Sequence, residues 1–262
     1  MSGTTTIAPR ATDTDLAQRL FDLTGKRILV TGGSRGLGLQ MVRAFAACGA
    51  DVAIASRKIE ACEAAAEEVR KAGRKALAIA ANASRWEDME RLADEVFAGF
   101  GGLDVLVNNA GMSPAVPSHE VTEALFDKIL GLNFKGPFRL ASLVAKRMYD
   151  GDGGVIINTS SSGALVPLPT VVTYAGAKAA LNAMSVSLAR EYGPKVRVNS
   201  LSAGPFLTDI ADAWDPDARE NASNSLRRPG RPEEIVSTAL FLASDASSFV
   251  TGAVVRCDGG MG

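Results

Sequence analysis

Histidine is almost missing from this chain: His119 is the one in 262 residues. That excludes a metal site built from several histidines. It also excludes a Ser-His or Cys-His catalytic pair unless His119 itself serves. His119 follows "SPAVPS", a loop-like stretch, and is expected on the surface. Cysteine is scarce too. Cys48, Cys62 and Cys257 form no C-x-x-C pair, and an odd, scattered set suits a reducing compartment better than a disulfide framework. Charge of one sign is lacking: the net charge is −1 and no long basic run occurs, which argues against nucleic acid and against capture on anionic membranes. No stretch approaches the roughly 18 uninterrupted apolar residues of a membrane span. Residues 1–20 lack the apolar core of a signal peptide and read as a flexible arm. A cytoplasmic protein is expected, long enough for one large α/β domain or two small ones.

Short apolar runs are present, and they alternate with helical patterns. The strands expected are 27–31, 51–56, 75–81, 103–109, 154–160, 196–202 and 253–257. Their apolar residues run continuously rather than alternately, as in parallel strands buried on both faces. Helices are expected over 37–49 and 60–73, each stopping at a glycine, and over 86–101. A further one, over 231–244, opens on Pro232 and two acids. Strand–helix alternation with short links predicts a doubly wound parallel sheet in a single domain over 21–262. The least regular stretch, 203–230, follows a strand end and reads as a substrate loop.

"RILVTGGSRGLGLQMVRAF" is a strand, a glycine-rich turn and a helix. Gly32, Gly33, Gly36 and Gly38 permit positive φ and close backbone approach. The helix behind them aims unpaired N–H groups and a positive dipole end at the same place, so the turn suits a pyrophosphate. A glycine-rich turn can also serve only to reverse a chain; here the strand before it and the helix after it supply the required context.

"NTSSSGALVPLPTVVTYAGAK" holds one of only three tyrosines, thirteen residues after the middle serine and four before a lysine. One reading is a strand end, a loop and the start of an Ala-rich helix. The other is a proton-transfer site of Ser161, Tyr174 and Lys178. Hydride transfer to a ketone builds an alkoxide, which needs a proton donor. A tyrosine of pKa near ~10 donates at neutral pH and becomes a better base when a nearby cation stabilises its phenolate. Tyr174 and Lys178, four apart, would share one helix face.

The second expected strand ends in Ser56 and Arg57, with no acid to accept from a ribose 2′-OH. Arg35 adds a second cation inside the glycine turn. Two arginines suit a 2′-phosphate, so NADP(H) is favoured and NAD(H) is possible.

Taken together, these features resemble the short-chain dehydrogenase/reductase family over roughly residues 23–262. "TGGSRGLG" is similar to its cofactor loop, "NNAG" (108–111) to the motif after its fourth strand, and Asn133, Ser161, Tyr174 and Lys178 to its catalytic tetrad. The middle serine is taken from the family's interval to tyrosine. The resemblance implies a Rossmann-type sheet of order 3-2-1-4-5-6-7 and a homotetramer or homodimer. It implies Tyr174 as acid/base, Lys178 as its tuner and ribose binder, Ser161 as substrate orienter, and Asn133 as anchor of a relay water. It places the cofactor against Gly32, Ser34, Arg35, Gly36, Leu37, Gly38, Ser56, Arg57, Asn82, Ala83, Asn108, Ala110, Gly111, Tyr174, Lys178, Phe206 and Thr208, with no metal. Asn82 stands where the family often has Asp. Ala203 replaces the Pro of its P-G turn, which predicts a looser loop.

The expected substrate wall (Met112, Pro114, Leu165, Val166, Leu168, Phe206 and Trp214) is mainly apolar and points to a small-molecule ketone or secondary alcohol of some bulk, unless those side chains pack on one another. Arg227 and Arg228 leave open a 3-oxoacyl-thioester reductase. The alternative of another class is an NADPH-binding sensor that turns nothing over.

Overall fold

The computed structural model describes residues 19–209, 211 and 219–262. The arm expected over 1–20 lies, through residue 18, outside them, and so does Trp214. Seven parallel strands form one sheet in the order β3-β2-β1-β4-β5-β6-β7. They are β1 (Arg27–Thr31), β2 (Asp51–Ser56), β3 (Ala76–Ala80), β4 (Val105–Asn108), β5 (Gly154–Ser161), β6 (Val196–Ala203) and β7 (Val254–Cys257). Both ends of β1 and β2 fall where the sequence places them, and the ends that differ elsewhere do so by one or two residues, where the apolar run outlasts the ladder or falls short of it.

The continuous apolar runs are explained by two covered faces. Ile28 and Val30 point into one core with Met41, Val42 and Phe45, while Leu29, Leu106 and Ile156 point into another with Met89, Leu92 and Leu140. The first is closed by α1 (Gly36–Ala47), α2 (Ile59–Lys71) and α7 (Val236–Ala243). The second is closed by α3 (Trp86–Phe100), α5 (Gly136–Asp150) and α6 (Val172–Glu191). Glu60 opens α2 and Arg70 with Lys71 closes it, complementing its dipole. Gly101 caps α3 in the left-handed conformation at φ 73°. The helix expected over 231–244 begins as a 3-10 turn, Pro232–Ile235, before α7.

The sequence pattern predicts no element over residues 112–150. They form α4 (Glu123–Leu130), capped by the Thr122 hydroxyl, then a π-helical turn, Gly131–Lys135, then α5. The cause of the wide turn is Asn133, whose amide donates to the Ile129 carbonyl at 3.0 Å, four residues back. A side chain thereby enters the helical hydrogen-bond ladder, and the backbone swells locally. Gly136 is obligatory just beyond it, because a Cβ there would stand 1.6 Å from the Ala83 carbonyl oxygen.

Candidate active site

The strand ends β1, β4, β5 and β6 converge on one crevice, the usual ligand position in an open parallel sheet. The glycine turn forms its floor. Gly32 and Gly36 take positive φ, 66° and 54°. Gly38 crosses so close under Gly32 that a Cβ would sit 2.2 Å from the Gly32 carbonyl oxygen and 2.6 Å from the Asn109 amide. Gly38→Ala cannot be relieved by turning a flexible side chain, because one obstacle is backbone. The expected result is a loss of about 1–3 kcal/mol of stability from overpacking, read by thermal melting. Affinity for a reduced nicotinamide cofactor should fall about ten-fold or more, read by fluorescence titration.

The turn is held from the neighbouring strand. Thr31 Oγ1 accepts from the Asn109 and Ala110 N–H groups at 3.0 and 3.2 Å, and the Asn109 amide donates to the Thr31 and Gly32 carbonyls at 3.1 and 3.3 Å. Sequence reasoning missed Asn109; the doubled asparagine of NNAG was the signal. Asn108 turns the other way and is buried, donating to Asn158 Oδ1 at 3.0 Å. Only its main chain is left to face the crevice.

On the opposite wall stands the serine–tyrosine–lysine group. β5 ends at Ser161, and α6 carries Tyr174 and Lys178 on one face. Among the three consecutive serines, Ser161 is the one brought to Tyr174, with its side chain hydrogen-bonded to the phenol. Its Oγ also accepts from the Gly163 N–H at 3.1 Å, which fixes its rotamer. Ser160 instead donates to the Lys178 carbonyl at 3.4 Å, and Ser162 is buried in the following turn. Lys178 is 3% exposed, and its Nζ donates to the Thr159 carbonyl at 2.7 Å. Burial pulls its pKa down to about 8. The ammonium lies 5.8 Å from the Tyr174 ring centre. The expected lowering of the tyrosine pKa by this cation is not what dominates here. Burial pushes the phenol above its ordinary value, and the bond with Ser161 opposes that only in part. The phenol is therefore held as a proton donor at neutral pH.

Asn133 is fully buried. Its amide donates to the Met112 carbonyl at 2.9 Å and accepts from the Met112 N–H at 3.3 Å, so it pins the chain leaving NNAG. A Cβ on Gly111 would lie 2.9 Å from Asn133 Oδ1 and 3.6 Å from Lys178 Nζ, so these three residues meet in one place.

At the adenosine end, the Ser34 hydroxyl donates to Ser56 Oγ at 2.9 Å and joins the glycine turn to the end of β2. Arg57 is exposed and has no ion-pair partner among the described residues. Arg35, expected to be available as well, is bonded to Asp209 at 3.1 Å. Asn82 Oδ1 accepts from the Ser84 N–H and hydroxyl, at 3.1 and 2.8 Å. The carbonyl of Ala83 lies over Gly136. Leu37 is partly buried against the first core.

Several loop expectations change. Phe206 does not present its ring to the crevice: the ring is buried in the first core against Gly230, where a Cβ would meet it at 2.6 Å. Thr208 does reach the glycine turn, 3.5 Å from where a Gly36 Cβ would be, and both line a cavity of about 450 Å³. At Ala203 itself the chain is not the looser turn expected. Without proline the strand runs on through Ala203, paired to Ser161 and Cys257, and the Gly204 N–H donates to the Cys257 carbonyl at 3.0 Å. Arg228 is taken by Glu234 in a two-pronged ion pair at 2.8 Å for both bonds, which holds the Glu234 carboxyl at about 2. Pro114 lines a narrow crevice beside Tyr174 with Val116, Val121, Ile129, Val171 and Val172. Leu165 and Leu168 are exposed, and so is His119, beside Glu120. Among the described residues, no His, Cys, Asp or Glu cluster could hold a metal and no helix is long and apolar enough to cross a membrane.

A family model described as enoyl-(acyl carrier protein) reductase matches residues 32–262. The D-threitol dehydrogenase of Mycolicibacterium smegmatis is 36% identical over 92% of this chain and 94% of its own. The 3β-hydroxysteroid dehydrogenase 1 of Eggerthella lenta is 37% identical over 92% of this chain and 95% of its own. A solved structure of 7α-hydroxysteroid dehydrogenase, complexed with NADH and 7-oxo glycochenodeoxycholic acid, is 31% identical; it superposes with a TM-score of 0.88 over 93% of this chain and 96% of that one.

Proposed function

Because the chain belongs to the short-chain dehydrogenase/reductase family, we propose that it interconverts a secondary alcohol and a ketone by hydride transfer to and from NADP(H). The observation that carries this reading is the meeting of Ser161, Tyr174 and Lys178 across the crevice from the glycine turn. The bound nicotinamide supplies or accepts the hydride. The protein supplies the proton: Tyr174, kept protonated by burial, gives it to the developing alkoxide. Ser161, fixed by the Gly163 N–H and bonded to the Tyr174 phenol, stands where it can turn its hydroxyl from the phenol to the substrate oxygen. Lys178, the ribose binder in this reading, is anchored by the Thr159 carbonyl, and Asn133 holds the Met112 segment that faces it. The aliphatic residues beside Tyr174 suit a substrate with an apolar body. Relatives named for threitol and hydroxysteroids support an alcohol as the reacting group. We further propose a cytoplasmic homotetramer or homodimer; light scattering on the purified protein tests its size.

A 3-oxoacyl-thioester reductase is the second reading; the family model's description, an enoyl-(acyl carrier protein) reductase, shares with it the acyl-carrier thioester and not the reacting group. It loses one of its two candidate cations, since Arg228 is committed to Glu234. A binding protein without turnover finds no support in a site that keeps both Tyr174 and Lys178. Absorbance of NADPH over a panel of ketones and 3-oxoacyl thioesters separates all three, and no turnover of any of them would overturn the enzyme reading.

The NADP(H) preference rests on Arg57 at the end of β2. A hydrogen bond to a charged group contributes about 1.5–3 kcal/mol, and each ~1.4 kcal/mol is a factor of ten. Arg57→Ala should therefore weaken NADPH binding about ten-fold or more and leave NADH nearly untouched. Nicotinamide fluorescence gives both dissociation constants, and parallel losses for the two cofactors would remove the assignment.

A further inference from the structure

The ion pair between Arg35 and Asp209 joins two segments 174 residues apart in sequence. Arg35 is the last residue before α1, and its neighbour Ser34 is tied to Ser56, next to Arg57. It therefore stands at the rim where a 2′-phosphate would meet Arg57. Asp209 belongs to the chain leaving β6, which crosses directly over the glycine turn: Thr208, its neighbour, touches the space above Gly36. Asp209, Thr208, Gly36 and Gln40 line one cavity of about 450 Å³ at the start of α1. A carboxylate thus sits in the anion-binding end of the crevice and neutralises one of its two candidate phosphate-binding cations.

The pair does little for the fold. Its side chains are 68% and 56% exposed, and exposed pairs of this kind contribute about 0–1 kcal/mol. What it changes is the availability of Arg35. We propose that Asp209 competes with the cofactor's 2′-phosphate for Arg35, and so sets how strongly the chain discriminates NADPH from NADH. This rests on the NADP(H) reading above. To bind a 2′-phosphate, Arg35 must exchange one oxyanion for another, so it adds less than a free arginine would, and Arg57 carries most of the discrimination. The same exchange releases the chain after β6 from the glycine turn, so NADPH and NADH leave that segment differently restrained.

The experiment is a double-mutant cycle on the full chain, with NADPH and NADH titrated by nicotinamide fluorescence into wild type, Asp209→Asn, Arg35→Ala and the double variant. Asp209→Asn keeps the size of the side chain and removes its charge. It should tighten NADPH binding roughly three- to five-fold and change NADH much less. In the Arg35→Ala background the same substitution should have no such effect on NADPH, because the arginine it frees is gone. An unchanged NADPH dissociation constant in Asp209→Asn would overturn the proposal. An equal gain with and without Arg35 would do the same, since a general field effect would then explain it. Arg57→Ala keeps the two failures apart. Equal NADPH and NADH affinities in wild type, with parallel losses in Arg57→Ala, remove the cofactor reading and this inference with it. A wild type that discriminates while Asp209→Asn does nothing removes the Asp209 proposal alone.

Discussion

Tyr174→Phe should lower turnover by about 10²–10⁴-fold, the range for loss of a positioned acid–base group, while NADPH still binds. One hydroxyl is removed and the ring stays, so the walls beside Pro114, Val116 and Ile129 are kept. The structure sharpens the expectation in the direction of ketone reduction. Burial keeps the phenol above its ordinary pKa, so near pH 7 the whole population carries the proton to be given. Alcohol oxidation asks the reverse, a phenolate, and its rate should rise with pH through the alkaline range until the phenol has ionised. That slope should vanish from the residual activity of Tyr174→Phe. Tyr149→Phe and Tyr192→Phe are the controls: those two rings meet edge to face at 6.0 Å, and Lys195 rests over Tyr149, away from the crevice. Near-normal turnover in Tyr174→Phe, or a loss as large in either control, would remove the assignment. Ser161→Ala should fall in the same direction, and Ser160→Ala should not, because Ser160 spends its hydroxyl on the Lys178 carbonyl.

How much of this was legible in the sequence depends on the range of the forces involved. The strands could be read because an apolar run buried on both faces is a local property, and the glycine turn because positive φ and close crossing demand glycine whatever the rest of the chain does. The helices between residues 123 and 150 escaped. α5 mixes Pro137, Arg139, Lys146 and Arg147 with its buried Leu140, Val144 and Met148, and the π turn at Asn133 shifts the phase of the pattern just before it. Tyr174 and Lys178 could be paired because helical spacing alone puts them on one face. Which serine meets the tyrosine depends on the end of β5 and the Gly163 turn, and a family interval had to stand in for that geometry. The fate of the arginines was not legible at all. Arg35 finds Asp209 and Arg228 finds Glu234 only after folding, and two residues read as open cations turn out to be engaged. Phe206 was misplaced for a similar reason: position beside a strand end does not say whether a ring turns to the crevice or, as here, to the core.

Lys178→Met should abolish most activity and at the same time remove a pH dependence from the stability of the cofactor-free chain. The lysine is buried, its Nζ donates to the Thr159 carbonyl, and its pKa falls from 10.5 to about 8. A lowered lysine pKa has the opposite sign to that of a lysine stabilised by a carboxylate. Between about 8 and 10.5 the unfolded chain holds a proton that the folded chain has lost. Stability therefore rises with pH across that window, is flat with respect to this group below it, and is flat again above it. The full rise is on the order of 3 kcal/mol, which is also the cost of keeping the buried ammonium at neutral pH. Methionine has no charge to bury, so the variant lacks the rise; it leaves the Thr159 carbonyl without its donor, which costs about 1–3 kcal/mol and makes the two chains similar in stability near pH 7. Urea midpoints of both proteins from pH 7 to 10.5 measure the difference, and subtracting one series from the other cancels every other group that titrates there. Turnover should fall about 10²-fold or more, since in the proposed mechanism the ribose loses its cation and the phenolate the ammonium 5.8 Å from its ring. Parallel stability curves for wild type and variant would show that Lys178 keeps an ordinary pKa, and the reading of its ammonium as buried against the Thr159 carbonyl would fail with them.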